Sequence, residues 1–197
     1  MAAPCNANLC HFALLCIFFF SLLRAQWLKL ETMPFVVRSS QDKGSELFRD
    51  ALSIRMRVFV QEQGVPVSIE QDDHNPSDVH FVLYEEDNPQ QQQQQQQKSC
   101  PVAAARLRVV THCGIHAYDA PVAKVERVCV LKPYRGKQCG VLLMRAVEKY
   151  AREKMGISKL VLHSQTSVKN FYKNIGYYET SGEFIKANML HLAMSNM

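Results

Sequence analysis

Across residues 122–154 the hydrophobic period switches from that of a strand to that of a helix, with only a short loop between. Residues 122–131 read as a strand. Residues 140–154 read as a helix, with Leu143, Val147, Tyr150 and Ala151 on one face. A strand that feeds straight into a helix must bury both apolar faces together, which restricts the chain to layered α/β or α+β packing. The loop carries Arg135, Gly136, Lys137 and Gly140. The first turn of a helix has unpaired backbone N–H groups and partial positive charge. A pyrophosphate therefore fits there when the loop backbone can approach closely. Neither G-x-x-x-x-G-K-S/T nor G-x-G-x-x-G is present, which sets aside the P-loop and the dinucleotide fingerprint.

The flanking sequence supplies the rest of a sheet. Residues 35–38 are a short β-rich run. Leu47, Ala51, Ile54 and Val58 fall at helical spacing, so a helix is expected to end near Gly64-Val65-Pro66. The acidic stretch holding Glu70, Asp72, Asp73 and Asp78 reads as a solvated loop that could draw in a cationic amine. With His74 and His80 it matches no metal-ligand spacing, and no metal site is expected. Strands are expected at 80–84 and 102–110, joined by a loop over 86–100. That loop contains the glutamine tract Gln90 to Gln97, which cannot bury a core. Residues 159–163 read as a further strand. Val168, Phe171, Tyr172 and Ile175 mark a helix stopped by Gly176, and 177–194 reads as two final strands around Ser181-Gly182. The order predicts one α/β (α+β) domain over residues 33–197, with a central mixed sheet flanked by helices.

Composition bounds the function classes. A chain of 197 residues, 47% hydrophobic, can bury one substantial core but hardly two. The net charge of +5 is spread without a basic stripe, so no nucleic-acid partner is expected. Seven cysteines form no CxxC pair, and free thiols in a reducing, cytoplasmic compartment are the simpler expectation. Residues 12–23 are almost wholly apolar, close to a signal-peptide core in length and short for a bilayer span. No Lys or Arg precedes them and no small-x-small site follows. Residues 1–32 are thus an uncleaved anchor, a poor signal peptide, or a leader absent from the working protein. The globular part is expected to begin near Met33, with membrane association only if residues 12–23 are retained.

The run Arg135-Gly136-Lys137-Gln138-Cys139-Gly140 resembles the acyl-CoA motif of the GNAT superfamily of N-acetyltransferases, whose loop reads Q/R-x-x-G-x-G/A. Arg135 and Gly140 match, while Gln138 stands at the first motif glycine. If that position needs a positive φ, Gln costs about 1 kcal/mol there. Residues 165–177 (QTSVKNFYKNIGY) resemble the family's N-x-x-A-x-x-L/F-Y-x-k-x-G-F/Y helix, with Gln165 in place of Asn and Val168 in place of Ala. Residues 57–64 (RVFVQEQG) are similar to the start of small predicted acetyltransferases, so the resemblance covers residues 34–197. It implies a GNAT fold with a mostly antiparallel sheet and acetyl-CoA as co-substrate. It also implies a cofactor site built from Arg135, Gly136, Lys137, Gln138, Cys139, Gly140, Val141, Gln165 and Tyr172.

Acetyl transfer to an amine asks for three groups. In the family, backbone N–H groups of the strand before the loop polarise the thioester carbonyl, which falls on Val128, Cys129 and Val130 here. Cys129 as an acyl-cysteine nucleophile is disfavoured, since no His stands nearby in sequence to activate it. Glu126 shares strand parity with Val128 and Val130, which makes it a candidate base acting through water. It is equally a candidate ion-pair partner of Arg106, Arg108 or Arg127. Tyr172 matches the family's general acid, the donor to the leaving thiolate. The expected acceptor is a small primary amine. Protein lysine or N-terminal acetylation, and a degenerate coenzyme A-binding module without turnover, are the alternatives.

Overall fold

A computed structural model describes residues 35–71, 75–86, 99–113 and 116–197. The leader over 1–32, Asp72, Asp73, His74 and the glutamine tract lie outside the described residues. The elements run β1 (Phe35–Ser40), α1 (Glu46–Arg55), a π-helical segment (Met56–Glu62), α2 (Val67–Glu70), β2 (Val79–Glu85) and β3 (Cys100–Cys113). Next come β4 (His116–Val130), a 3-10 turn (Lys132–Tyr134), α3 (Cys139–Met155), β5 (Leu160–Gln165) and a second 3-10 turn (Thr166–Val168). The chain ends with α4 (Lys169–Asn174), β6 (Tyr178–Glu179), β7 (Phe184–Lys186) and β8 (Met189–Ser195). Among the described residues, no helix is long and apolar enough to cross a membrane.

All eight strands belong to one sheet, ordered β1-β2-β3-β4-β5-β8-β6, with β7 also beside β8. Every pairing is antiparallel except β4 with β5, because α3 carries the chain back over the sheet between them. The sheet is therefore mixed and mostly antiparallel, as the sequence predicts. The C-terminal region departs from expectation. It makes three strands, and the β7–β8 hairpin turns at Ala187 and Asn188, both at positive φ (49° and 60°). Two left-handed residues match the twist of a tight hairpin, and Asn accepts that conformation readily. Ser181-Gly182 instead joins β6 to β7.

Each face of the sheet carries its own core. On one side α3 buries Leu143, Met144, Val147 and Ala151 against Phe81, Leu83, Ala105, Leu107 and Leu162. On the other, α1 and the π-helical turn bury Ala51, Ile54 and Val58 against Val82, Tyr84, Ala104 and Cys129. The spacing of Leu47, Ala51, Ile54 and Val58 does predict this helix. Beyond Arg55, however, the winding loosens, with the Gln63 amide bonding to the Val58 carbonyl at 3.2 Å. π-helical turns of this kind gather at functional sites.

The acidic stretch differs from the solvated loop expected of it. Glu70 is 1% exposed and is bonded to Arg55, with Arg127 at 3.2 Å. Asp78 is 2% exposed and lies 3.1 Å from Arg108 and 3.8 Å from Arg106. Both carboxylates are matched by guanidinium groups, so neither is left to attract a cationic amine; buried charges persist only when paired.

Candidate active site

The site arises where the parallel pair comes apart. β4 and β5 are in register at Ala123, Lys124 and Val125 opposite Leu160, Val161 and Leu162, and the pairing goes no further. Beyond Val125 the strands splay around a cleft of ≈ 810 Å³. It runs from Lys124 and His163 at one end to Gly136, Gln138 and the first residues of α3 at the other. Every expected site residue lines it except Lys137, whose ammonium stands 5.3 Å over the Tyr134 ring. A volume of this size suits a small-molecule ligand.

The anion cradle is built by the backbone. Gly136 and Gln138 both adopt positive φ (77° and 61°), and Gln138 is the N-cap of α3 without a side-chain cap. The left-handed turn leaves the amides of Cys139, Gly140 and Val141 without intrahelical acceptors at the cleft wall. Gly140 answers a different need as well. A Cβ there would meet Phe171 of α4 at 3.1 and 3.2 Å, so the glycine lets two helices close up. Arg135 adds less free charge than expected, because Glu62 holds it in a two-pronged pair at 2.5 and 2.7 Å. Its Nε also donates to the Val130 carbonyl at 3.0 Å. Arg135 is a brace between the π-helical segment, β4 and the loop.

A bulge in β4 redirects the middle of the cleft. The register pairs Arg106 with Glu126 and Ala104 with Cys129, which leaves Arg127 and Val128 facing Ala105 alone. Arg127 takes a positive φ of 55° to make room for the extra residue. The Leu131 amide donates to Val102 of β3 at 2.9 Å, so the Val130 amide, one residue earlier, turns away from β3 towards β5. By the same alternation the Cys129 amide faces β3, out of reach of the cleft.

The bulge corrects the parity inferred for Glu126. Its side chain shares a face with Cys129 under α1, whereas Val128 and Val130 pack against the core under α3. Glu126 is bonded to Lys124 at 2.6 Å and Arg106 at 2.7 Å, with Arg108 at 3.6 Å. Burial pushes its carboxyl pKa up, but Lys124 and Arg106 outweigh that and hold it far below the usual carboxylate range. Such a carboxylate has little affinity for a proton.

Tyr172 is 7% exposed in the cleft wall, edge-on to Phe171 and Tyr177, with no hydrogen bond to its hydroxyl among the described residues. Burial, and then the neighbouring Cys129, raise its pKa, so it stays protonated at neutral pH. Cys129 itself is pushed up to about 12 by burial and is a poor nucleophile. Gln165 donates to Gln63, which caps the π-helical segment, at 3.0 Å across the cleft. Residues that carry no motif also line the far end: Lys124, His163, Lys186 and His191. His163 lies 3.0 Å from the Cys113 sulfur. Among the described residues, no cluster of three or more His, Cys, Asp or Glu could hold a metal.

Comparisons with known proteins follow the same outline. The model of the acetyltransferase (GNAT) domain family matches residues 61–196. The uncharacterized N-acetyltransferase YjcF of Bacillus subtilis is 35% identical over 77% of this chain and 94% of its own. Uncharacterized protein YyaT of the same organism is 32% identical over 74% of this chain and 86% of its own. An acyl-CoA N-acyltransferase from Pseudomonas aeruginosa superposes with a TM-score of 0.63 at 19% identity, over 84% of this chain and all of that one. Escherichia coli ElaA does so at 0.61 and 21% identity, over 83% and 99%. At such identities the two structures speak for the fold alone.

Proposed function

Since the chain belongs to the GNAT acetyltransferase family, we propose that it moves an acetyl group from acetyl-CoA to the primary amine of a small molecule. The observation that carries the reading is the cleft itself, which links the open amides of α3 to Tyr172 along the splayed edge of β4. The amides of Cys139, Gly140 and Val141 suit the pyrophosphate, with the helix dipole adding to the attraction. In this reading the Val130 amide, and Val128 beside the bulge, donate to the thioester carbonyl, where negative charge develops. Cys129, turned to β3, is not assigned that part. The bound thioester supplies an activated acyl group, and the amine attacks its carbonyl carbon directly. As the C–S bond breaks, Tyr172 gives its phenolic proton to the departing sulfur, while the proton shed by the amine nitrogen passes to solvent, from which the phenolate is reprotonated. Of the two roles open to Glu126, we assign it the holding of Lys124 and Arg106, because a carboxylate so firmly paired is a weak base.

Calorimetric titration with acetyl-CoA, followed by thiol release with a panel of amines, tests this reading. Binding without thiol release above hydrolysis for any amine would instead identify a coenzyme A-binding module. Tyr172→Phe should keep acetyl-CoA affinity and lower kcat about a hundredfold. Full activity of that variant between pH 7 and 9 would remove Tyr172 as the acid.

A further inference from the structure

The end of the cleft away from α3 has an unbalanced charge. Among the described residues two acids line the cleft, Glu70 and Glu126, against the four cations Lys124, Arg127, Arg135 and Lys186. Both acids are already engaged, Glu70 by Arg55 and Arg127 and Glu126 by Lys124 and Arg106. Arg135 is matched by Glu62. Lys186, on the β7–β8 hairpin, is the cleft-lining lysine with no ion-pair partner among the described residues.

Position separates this cation from the cofactor cradle. Lys124, whose charge acts on His163 together with that of Lys186, lies six residues of β4 before Val130. Strand geometry makes that roughly 20 Å, so this charge is remote from a pyrophosphate seated on α3. The same end holds His163, with the Phe184 ring edge-on at 5.0 Å. His163 has its pKa lowered to about 4 by burial and then by Lys124 and Lys186, and it faces them as a neutral ring. Its Nδ1 is buried without a partner among the described residues, a polar atom that an oxygen-bearing ligand or water would satisfy.

We infer that the amine acceptor carries an anionic group, a carboxylate or a phosphate, which seats against Lys186 beside His163. The inference rests on the acetyltransferase reading and adds the chemical class of its second substrate. It replaces the cationic acceptor that the acidic stretch suggested, since Glu70 and Asp78 are spent on arginines. The amine would then point along β4 towards Val128, with the anion behind it.

The test uses the full chain with saturating acetyl-CoA, whose binding is first measured by calorimetry. Thiol release is compared for α-amino acids against their amides, and for an amino-sugar phosphate against the free amino sugar. The expected result is a kcat/KM about tenfold or more higher for the anionic member of one pair, expressed in KM. Lys186→Gln should abolish that preference and leave kcat largely intact, and Lys186→Arg should restore it. The pair that responds identifies carboxylate or phosphate. Equal use of the neutral partners, or a preference that survives Lys186→Gln, would overturn the inference. If no acceptor turns over, N-acetyl amino acids, N-acetylglucosamine 6-phosphate and their neutral counterparts are titrated into the chain saturated with coenzyme A. Tighter binding of an anionic product, lost in Lys186→Gln, upholds the inference; its absence overturns it. Acetyl-CoA that fails to bind would defeat both readings, whereas binding without anion preference defeats this one alone.

Discussion

Gln138 is the residue at which sequence and conformation are most at odds. Its φ of 61° belongs to the position where the family motif has glycine. Gln138→Gly should raise stability by about 1 kcal/mol, read as a higher midpoint of denaturation, and should leave the α3 amides in place. Glu126→Gln should act in the opposite direction. It takes one partner from a nearly buried network, with Glu126 12% and Arg106 1% exposed, and should cost about 3 kcal/mol. If Glu126 holds Lys124 in place, the loss in kcat will be small once folded protein is compared with folded protein. A loss of several hundredfold at unchanged KM would return it to the role of base. Motifs singled out Arg135, Gly140 and Tyr172 in the sequence, and all three line the cleft. Lys124, His163 and Lys186 carry no motif. What sets Lys186 apart is the absence of an ion-pair partner among the described residues, which depends on residues far away in the chain.

At the scale of elements, the strand-to-helix switch was legible because hydrophobic period follows directly from backbone geometry. Its fine adjustments were not. The bulge at Arg127 leaves no trace in the alternation of VERVCV, yet it moves Glu126 to the opposite face from Val128 and Val130. The π-helical turn is likewise silent in sequence, since Val58 satisfies helical spacing on either winding. Its effect is large, because it delivers Glu62 to Arg135 and Gln63 to Gln165. The contact between α3 and α4 offers a direct test. Gly140→Ala puts a methyl 3.1 Å from Phe171 and should destabilise the chain by about 1–2 kcal/mol. Phe171→Leu should recover most of that loss in the double variant, measured by chemical denaturation. Additive losses would show that the glycine serves the loop backbone alone.

For the whole molecule, the buried titrating groups set how it responds to acid. His163 has a folded pKa of about 4 against an ordinary 6.5. The unfolded chain therefore takes up its proton first, and the stability that neutral His163 contributes is complete above pH 6.5. It is lost as pH falls towards 4. Glu126, with a depressed folded pKa, adds a loss of the same sign below its ordinary 4.5. Denaturation midpoints should thus decline between pH 6.5 and 4, and His163→Gln should flatten the upper part of that decline. The mixed sheet flanked by helices was legible, because strand and helix periods alternate along the chain, whereas the order of the strands within the sheet was not read from it. The β7–β8 hairpin was misplaced because Lys-Ala-Asn-Met offers a weaker turn signal than Ser-Gly. The parting of β4 from β5 bears finally on the order of events. The gap opens through the sheet, with the α3 amides on one face and Lys186 with His163 on the other. Two ligands can then arrive by separate doors, neither obliged to leave before the other enters. Initial-rate plots that intersect, rather than run parallel, are the kinetic signature of such a passage.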